Sequence, residues 1–243
     1  MTVTRTFLHP GGPETTSYLS AHRSRPDVIR DALAYPLRAD ERTLVTGASL
    51  AIALGLALRL GVLALPIAVV LAGYAAAVIR TSADDERAPP RFEEIRRLAS
   101  DGLRALAVAI GYLVVPVVVL AGSLGGTLAA ARPESFATTV VVSAAGTVLL
   151  FVSLAFAYLL PAAIAGVAST GRLGAALARS RLRSTITDGR YFLAWAAALL
   201  VASVAGALLG AVASLGRPGE VVALVGGLYA ALVVARLLGR GVQ

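Results

Sequence analysis

The sequence predicts an all-α protein: an integral membrane helical bundle of about six transmembrane helices, arranged as three hairpins, each preceded by a cytoplasmic interfacial segment. Composition is the first reason, because 57% of the 243 residues are hydrophobic, 15% are charged and the mean hydropathy is +0.79. A soluble domain of this length cannot bury that much apolar surface. The second reason is that charged residues stand between long apolar runs, and the third is the uneven distribution of arginine.

The first 25 residues form a polar tail. Residues 1–25 carry a PGGP stretch among Thr and Ser and no apolar run, so we expect them to be disordered. Residues 26–243 are predicted to form a single transmembrane domain. Its first element is PDVIRDALAY, residues 26–35, whose apolar and charged positions fall on opposite arcs of a helix. This pattern is typical of a short interfacial helix, which Pro36 would end.

The first hairpin lies in an apolar run at residues 44–79 that is interrupted by Arg59. As one helix this run would be roughly 54 Å long, whereas the hydrocarbon core of a bilayer is roughly 30 Å thick. We therefore predict two spans, at about residues 43–58 and 61–79, with a turn near Arg59. A re-entrant pair would return the chain to the same side and stays open as an alternative.

The second hairpin repeats this arrangement of an interfacial segment followed by two spans. Residues 90–100 are amphipathic and predict a second interfacial segment. The spans that follow, at about residues 103–131 and 137–168, exceed the minimum length and contain Pro116 and Pro161, so tilt or a proline kink is expected.

The third hairpin follows a strongly basic stretch. This stretch, GRLGAALARSRLRSTIT at residues 171–187, is expected to be an interfacial helical segment. The last two spans are predicted at about residues 191–215 and 221–238.

The arginines predict the orientation. With both termini cytoplasmic, nineteen of the 22 basic residues, all of them arginine, lie on the cytoplasmic side and three lie outside: Arg59, Arg132 and Arg217. This bias is the positive-inside pattern of multi-pass proteins, so the predicted location is the cytoplasmic membrane.

An acidic residue stands where each cytoplasmic segment gives way to an ascending helix. Asp40, Asp101 and Asp188 hold these places, and Gly102 and Gly189 follow the last two. An aspartate can accept unpaired amide protons of a first helical turn, and glycine lets the chain bend. We therefore interpret these residues as structural elbows. The alternative, that Asp101 and Asp188 bind a cation or accept a proton, is less favoured because both lie among arginines at the membrane edge.

Six motifs, taken in order and spacing, resemble the archaeal, largely haloarchaeal, family called domain of unknown function 4013. The motifs are YPLR (35–38), GYAAAVIR (73–80), PRFEEIRRLASDGLRAL (90–106), GYLVVP (111–116), YLLPAAIA (158–165) and GRYFLAW (189–195). The resemblance covers roughly Asp27 to the C-terminus. It implies a polytopic archaeal membrane protein without an assigned activity, and it supplies no catalytic residues.

Composition also excludes several chemistries. The chain has no cysteine and no lysine, and its two histidines, His9 and His22, lie in the polar tail. Thiolate chemistry, lysine Schiff bases and histidine relays inside the membrane are therefore excluded. We expect no catalytic residues, no metal site and no cofactor. The net charge of +8 is spread between apolar runs, which indicates membrane lipids as partners and argues against nucleic acid.

Two sets of residues are candidate contact sites. Basic residues of the inner segments are expected to hold anionic lipid headgroups: Arg91, Arg96, Arg97, Arg179, Arg181 and Arg183. Tyr112, Tyr158 and Tyr229 fall at similar depths in three spans, near the two prolines. They line either a solid layer, each hydroxyl bonding a neighbouring carbonyl, or a small polar cavity open to the inner leaflet.

The predicted function is that of a non-enzymatic protein that organises or interacts at the cytoplasmic leaflet. A permease for a neutral or lipidic solute is the alternative, and it depends on the tyrosine cavity. A second alternative is an accessory subunit of a partner complex. The sequence leaves the protein partner and the oligomeric state open.

Overall fold

A computed structural model of the protein describes residues 25–61, 64–92, 94–130 and 136–243. Those residues form eight α-helices and two short 3-10 turns, which lie at Pro36–Arg38 and Leu173–Leu177. The predicted disordered tail falls outside the described residues, apart from Arg25. In chain order the helices are α1 (Arg25–Ala34), α2 (Glu41–Leu58), α3 (Ala64–Ala83), α4 (Ile95–Ala130), α5 (Phe136–Thr170), α6 (Arg179–Ile186), α7 (Gly189–Ala213) and α8 (Arg217–Gly241).

Six of these helices, α2, α3, α4, α5, α7 and α8, are long and apolar enough to cross a membrane. The predicted all-helical, multi-pass architecture is thereby confirmed. The apolar run at 44–79 is divided between α2 and α3, which extend beyond it at both ends. These helices have 18 and 20 residues, or roughly 27 and 30 Å, so each can cross a hydrocarbon core. Gly61, with φ of 71°, lies just after α2, in a conformation that glycine adopts without steric cost.

The second interfacial segment differs from the prediction. Residues 95–100 are the first turns of α4, so this part of the predicted segment continues directly into the span. The helix also runs without interruption through Asp101 and Gly102, and the elbow predicted there is wrong. The basic segment at 171–187 is helical in two pieces, a 3-10 turn and α6.

The two ends of the bundle differ in charge. We call the end that carries Asp40, Ala83, Ile95, Thr170 and Gly241 the basic end, because most described arginines lie there. Side chains at these helix ends contact one another across the bundle, as Arg80 of α3 does with Asp101 of α4. Consecutive spans therefore run in opposite directions.

The packed core lies toward the basic end. Helices α3 and α8 are at its centre, and α3 packs more extensively on α4 and α8 than on its hairpin partner α2. The most buried apolar side chains include Tyr74 and Val78 of α3 with Val233 and Leu237 of α8. No residue of α7 after Ala198 is buried. This arrangement suits lipid as solvent, because an apolar side chain gains little by leaving lipid for a protein core.

Helices α3 and α4 approach most closely where two glycines face each other. A Cβ added to Gly73 would lie 1.8 Å from the carbonyl oxygen of Leu98, and one added to Gly102 would lie 1.9 Å from that of Val69. No side chain fits between the two backbones at this crossing. Gly102 is therefore a close-packing position rather than the bend predicted from the sequence.

Candidate functional site

The three tyrosines predicted to share a cavity each hydrogen-bond a different segment of the basic end. Tyr112 donates to the carbonyl oxygen of Ala176 at 3.0 Å, and Tyr158 donates to that of Ile186 at 2.7 Å. The third hydroxyl, of Tyr229, donates to a carbonyl oxygen of α1, that of Leu33.

These bonds leave no hydroxyl pair facing a common space. Tyr229 lines a small, mostly apolar cavity of about 80 Å³ between α2, α3 and α8, which neither Tyr112 nor Tyr158 reaches. Of the two arrangements considered from the sequence, these contacts match the one in which each hydroxyl bonds a neighbouring carbonyl. The physical reason is that carbonyls of the interfacial segments, in the described part of the chain, accept all three hydroxyl protons.

Two further tyrosines, which the sequence analysis did not single out, hydrogen-bond to other segments. Tyr74 donates to the carbonyl oxygen of Pro90 at 3.0 Å, and its ring stacks on Phe92 with centroids 3.9 Å apart. Tyr191 donates to the carbonyl oxygen of Tyr158 at 2.6 Å. Tyrosine is suited to this task because its ring packs among apolar side chains while its hydroxyl reaches a polar partner.

The three predicted elbows behave differently from one another. Asp188 is the N-cap of α7, and its Oδ1 accepts the amide proton of Arg190 at 2.8 Å. Gly189 is the first residue of that helix. Asp40 is at the N-cap position of α2 with an extended backbone, and its carboxylate lies 4.0 Å from Arg91.

Asp101 is an ion-pair partner instead of a cap. Its carboxylate accepts from Arg104 at 3.1 Å and from Arg80 at 3.3 Å, and its side chain is only 12% exposed. Arg80 also donates to the carbonyl oxygen of Ala168 at 3.4 Å. This group of charges joins α3, α4 and α5 near the basic end. Asp101 and Arg104 are an i,i+3 pair on α4, whereas Arg80 comes from α3, so spacing in sequence could indicate only the pair within α4.

The six arginines predicted to contact lipid lie on three segments of the basic end. All six side chains are exposed: Arg91, Arg96, Arg97, Arg179, Arg181 and Arg183. Arg97 pairs with Glu94 at 3.4 Å, which is an exposed i,i+3 pair of small energetic value. The structure therefore leaves these guanidinium groups accessible at one end of the bundle.

Large apolar side chains are exposed on the same segments. Ile95 precedes two of these arginines and is 62% exposed, while Leu177, two residues before Arg179, is 77% exposed. Leu37, beside Arg38, is 69% exposed. Segments that present arginine and leucine together have the amphipathic surface of chains that lie in a headgroup region.

A charge cluster that includes the buried Arg236 joins α1 to the end of α8. The carboxylate of Asp31 lies 2.8 Å from Arg38, 2.8 Å from Arg240 and 3.6 Å from Arg236. Arg236 is only 1% exposed, and its guanidinium carbon lies 4.4 Å from the centroid of the Tyr35 ring. The sequence reading missed this cluster because its charged members are up to 209 residues apart in the chain.

Asp31 is held in its charged form by these partners. Burial alone raises the pKa of this carboxyl, but the hydrogen bond from Arg38 and the charges of Arg240, Arg38 and Arg236 outweigh burial. The pKa of Asp31 therefore lies below its ordinary value.

Comparison with known proteins identifies a family. A family model described as "Protein of unknown function (DUF4013)" matches residues 58–214, which is more than half of the chain and runs from the end of α2 past the end of α7. The match is narrower than the resemblance from Asp27 to the C-terminus. Neither the curated proteins nor the solved structures contain a match.

Proposed function

The chain belongs to the DUF4013 family, whose description names no activity, and we propose that it is a non-enzymatic protein that organises the cytoplasmic leaflet of the cell membrane. Its basic end would collect anionic lipid headgroups around the bundle. The observation that carries this proposal is the exposure of arginine beside leucine or isoleucine on the segments of that end. Arginine would contact phosphate oxygens while the neighbouring apolar side chain enters the acyl region.

The proposal requires the basic end to face the cytoplasm, with both termini on that side. The positive-inside bias supports this orientation, since Arg59 and Arg217 are the described arginines at the opposite end. The permease alternative is not carried forward, because the three tyrosine hydroxyls on which it depended bond carbonyls of three different segments.

The orientation predicts a labelling pattern in intact cells. The chain has no cysteine, so each single replacement supplies one thiol. We expect a membrane-impermeant thiol reagent to label Arg217→Cys, at the opposite end, and to leave Arg181→Cys unlabelled until the cells are lysed. Labelling of Arg181→Cys from outside would show that the orientation is reversed.

The lipid-organising role predicts enrichment of anionic lipid near α6. Trp195 is the single tryptophan and lies in the second turn of α7, which follows α6. In reconstituted bilayers, brominated phosphatidylglycerol should quench Trp195 more strongly than brominated phosphatidylcholine does. Replacement of Arg179, Arg181 and Arg183 together by glutamine should reduce this difference several-fold, because each arginine near an anionic surface contributes about 1 kcal/mol.

Salt and a distant arginine provide the controls. The difference in quenching should fall between ~0.1 M and ~1 M salt, as screening of exposed charges requires. Arg217→Gln removes an exposed arginine at the opposite end and should leave quenching unchanged. Equal quenching by the two lipids in the unsubstituted protein would refute the proposed role.

A further inference from the structure

A polar cavity of about 270 Å³ opens at the basic end where α1, α8 and the loop after α3 meet. Six charged side chains line it: Asp31, Arg38, Asp85, Arg87, Arg236 and Arg240. The six arginines predicted to contact lipid headgroups do not line this cavity. The cavity therefore opens at this end in a place separate from those six arginines.

The charges of the lining are unequal. Four guanidinium groups face two carboxylates, so the lining has a formal charge of +2. Asp31 is already shared by three of the arginines, and Asp85 lies 3.5 Å from Arg240. A cation would meet four like charges here, whereas an anion would balance the excess.

Several arginine donors in this cavity have no acceptor. Within the described residues the guanidinium of Arg87 has no hydrogen-bond or ion-pair partner. The Nε of Arg236 is buried and also lacks a partner, although its Nη1 donates to the carbonyl oxygen of Glu86 at 2.6 Å. Arg236 therefore brings an incompletely hydrogen-bonded positive charge to the wall of the cavity, and this charge favours an anion there.

The loop that carries Asp85 and Arg87 has a constrained shape. Asp85 has φ of 57°, a left-handed conformation that is uncommon outside glycine. The loop is further held by the hydrogen bonds from Arg236 to Glu86 and from Tyr35 to Ala88. The Arg87 backbone is therefore held beside the cavity by bonds to its neighbours on both sides.

The donors match the chemistry of phosphate. A guanidinium presents planar pairs of N–H groups that fit phosphate oxygens, and several such forks can bind the separate oxygens of one phosphate. A volume of about 270 Å³ corresponds to roughly nine water molecules, which is enough for a phosphate group and a small substituent.

We propose that this cavity binds a phosphate group, held by Arg87 and Arg240 above the buried Arg236, with Asp31 keeping the guanidinium groups in position. The ligand is either the headgroup of an anionic lipid or free inorganic phosphate. The site does not depend on the leaflet-organising role, since its residues differ from the six arginines predicted to contact lipid headgroups. A bound phosphate would stabilise the junction of α1, α8 and the loop between α3 and α4 by mass action.

The test uses the full chain and two probes. Thermal unfolding of the purified protein in a neutral detergent is measured with inorganic phosphate and with chloride at equal ionic strength. Native mass spectrometry then counts the phosphatidylglycerol retained after extraction from mixed phosphatidylglycerol and phosphatidylcholine bilayers. Arg87→Gln is the test variant, because this exposed side chain has no partner to lose. Arg42→Gln is the matched control, because Arg42 is an exposed arginine of the same end that belongs neither to the cavity nor to the six arginines predicted to contact lipid.

Two outcomes support the site and identify its ligand. If phosphate raises the unfolding midpoint, and Arg87→Gln weakens phosphate binding about tenfold to a hundredfold while Arg42→Gln does not, the ligand is free phosphate. If phosphate has no effect, but a retained phosphatidylglycerol is lost in Arg87→Gln and kept in Arg42→Gln, the ligand is a lipid headgroup.

Two other outcomes overturn the proposal. One is that neither probe binds the unsubstituted protein. The other is that both variants lose binding equally, which would indicate general attraction to a basic surface instead of a site. Neither outcome bears on Trp195 quenching, so failure of this site is distinguishable from failure of the leaflet-organising role.

Discussion

Replacing Asp31 with asparagine is expected to lower the free energy of unfolding by about 3 kcal/mol, because it removes the carboxylate shared by three guanidinium groups. Arg236 determines the size of the effect. It is 1% exposed, so the substitution leaves a buried charge without its counter-charge. Equilibrium unfolding in mixed detergent micelles, followed by circular dichroism, measures the loss.

Glu94→Gln is the matched control. It also removes a carboxylate paired with an arginine at the basic end, but both side chains of the Glu94–Arg97 pair are more than half exposed. Exposed pairs contribute about 0 to 1 kcal/mol, so this variant should unfold almost as the unsubstituted protein does. Equal losses in the two variants would mean that burial of Arg236 has no energetic consequence.

The loss of unfolding free energy in Asp31→Asn, relative to the unsubstituted protein, should depend on pH. The pKa of Asp31 is lower in the folded protein than its ordinary value, so its carboxylate stabilises the fold above the unfolded pKa of about 4. This contribution is lost as the pH falls through the folded pKa, where Asp31 becomes neutral. The difference in free energy of unfolding between Asp31→Asn and the unsubstituted protein should therefore be largest near neutral pH and shrink below about pH 4. If the difference in free energy of unfolding grew on acidification, the charged carboxylate of Asp31 would not be the source of the stabilisation.

Gly73→Ala is expected to cost about 3 kcal/mol, even though alanine is the better helix former. The new methyl group would lie 1.8 Å from the carbonyl oxygen of Leu98, so α3 and α4 must move apart. Their separation would also weaken the contacts of Arg80 with Asp101. Gly102→Ala meets the same obstacle from the other side, at the carbonyl oxygen of Val69, and should cost a similar amount.

Two exposed glycines of α7 serve as controls. A Cβ added to Gly206 or Gly210 would meet no atom within 4 Å. Alanine at either position should therefore stabilise the helix by about 0.5 kcal/mol, which is the opposite sign. Unfolding of Gly73→Ala and Gly206→Ala under identical conditions separates the steric clash from the helix propensity of alanine. A loss of stability in both variants would indicate that the close approach of α3 and α4 does not cause the loss in Gly73→Ala.

The membrane spans could be predicted closely because each depends on local composition. Spans predicted at 191–215 and 221–238 correspond to α7 and α8, and the run at 44–79 falls into two helices near Arg59. The error at Asp101 has a physical explanation. The Asp-Gly pair before a span has the same local pattern at 101–102 and 188–189. Asp101 is paired with Arg80 and Arg104, whereas among the described residues no arginine forms an ion pair with Asp188. A cap and an ion pair are alternatives for one side chain, and contacts with distant segments decide between them.

What the sequence by itself determined is the all-helical, multi-pass architecture and the surplus of arginine at one end, because hydropathy and charge act residue by residue in a bilayer. What only the tertiary structure decided is which polar groups meet. The hydroxyls of Tyr112, Tyr158 and Tyr229 bond three different segments, and Asp31 of α1 meets Arg236 and Arg240 of α8. In lipid every polar group needs a partner inside the protein, and that partner can come from any segment that packs nearby, so spacing along the chain does not reveal it.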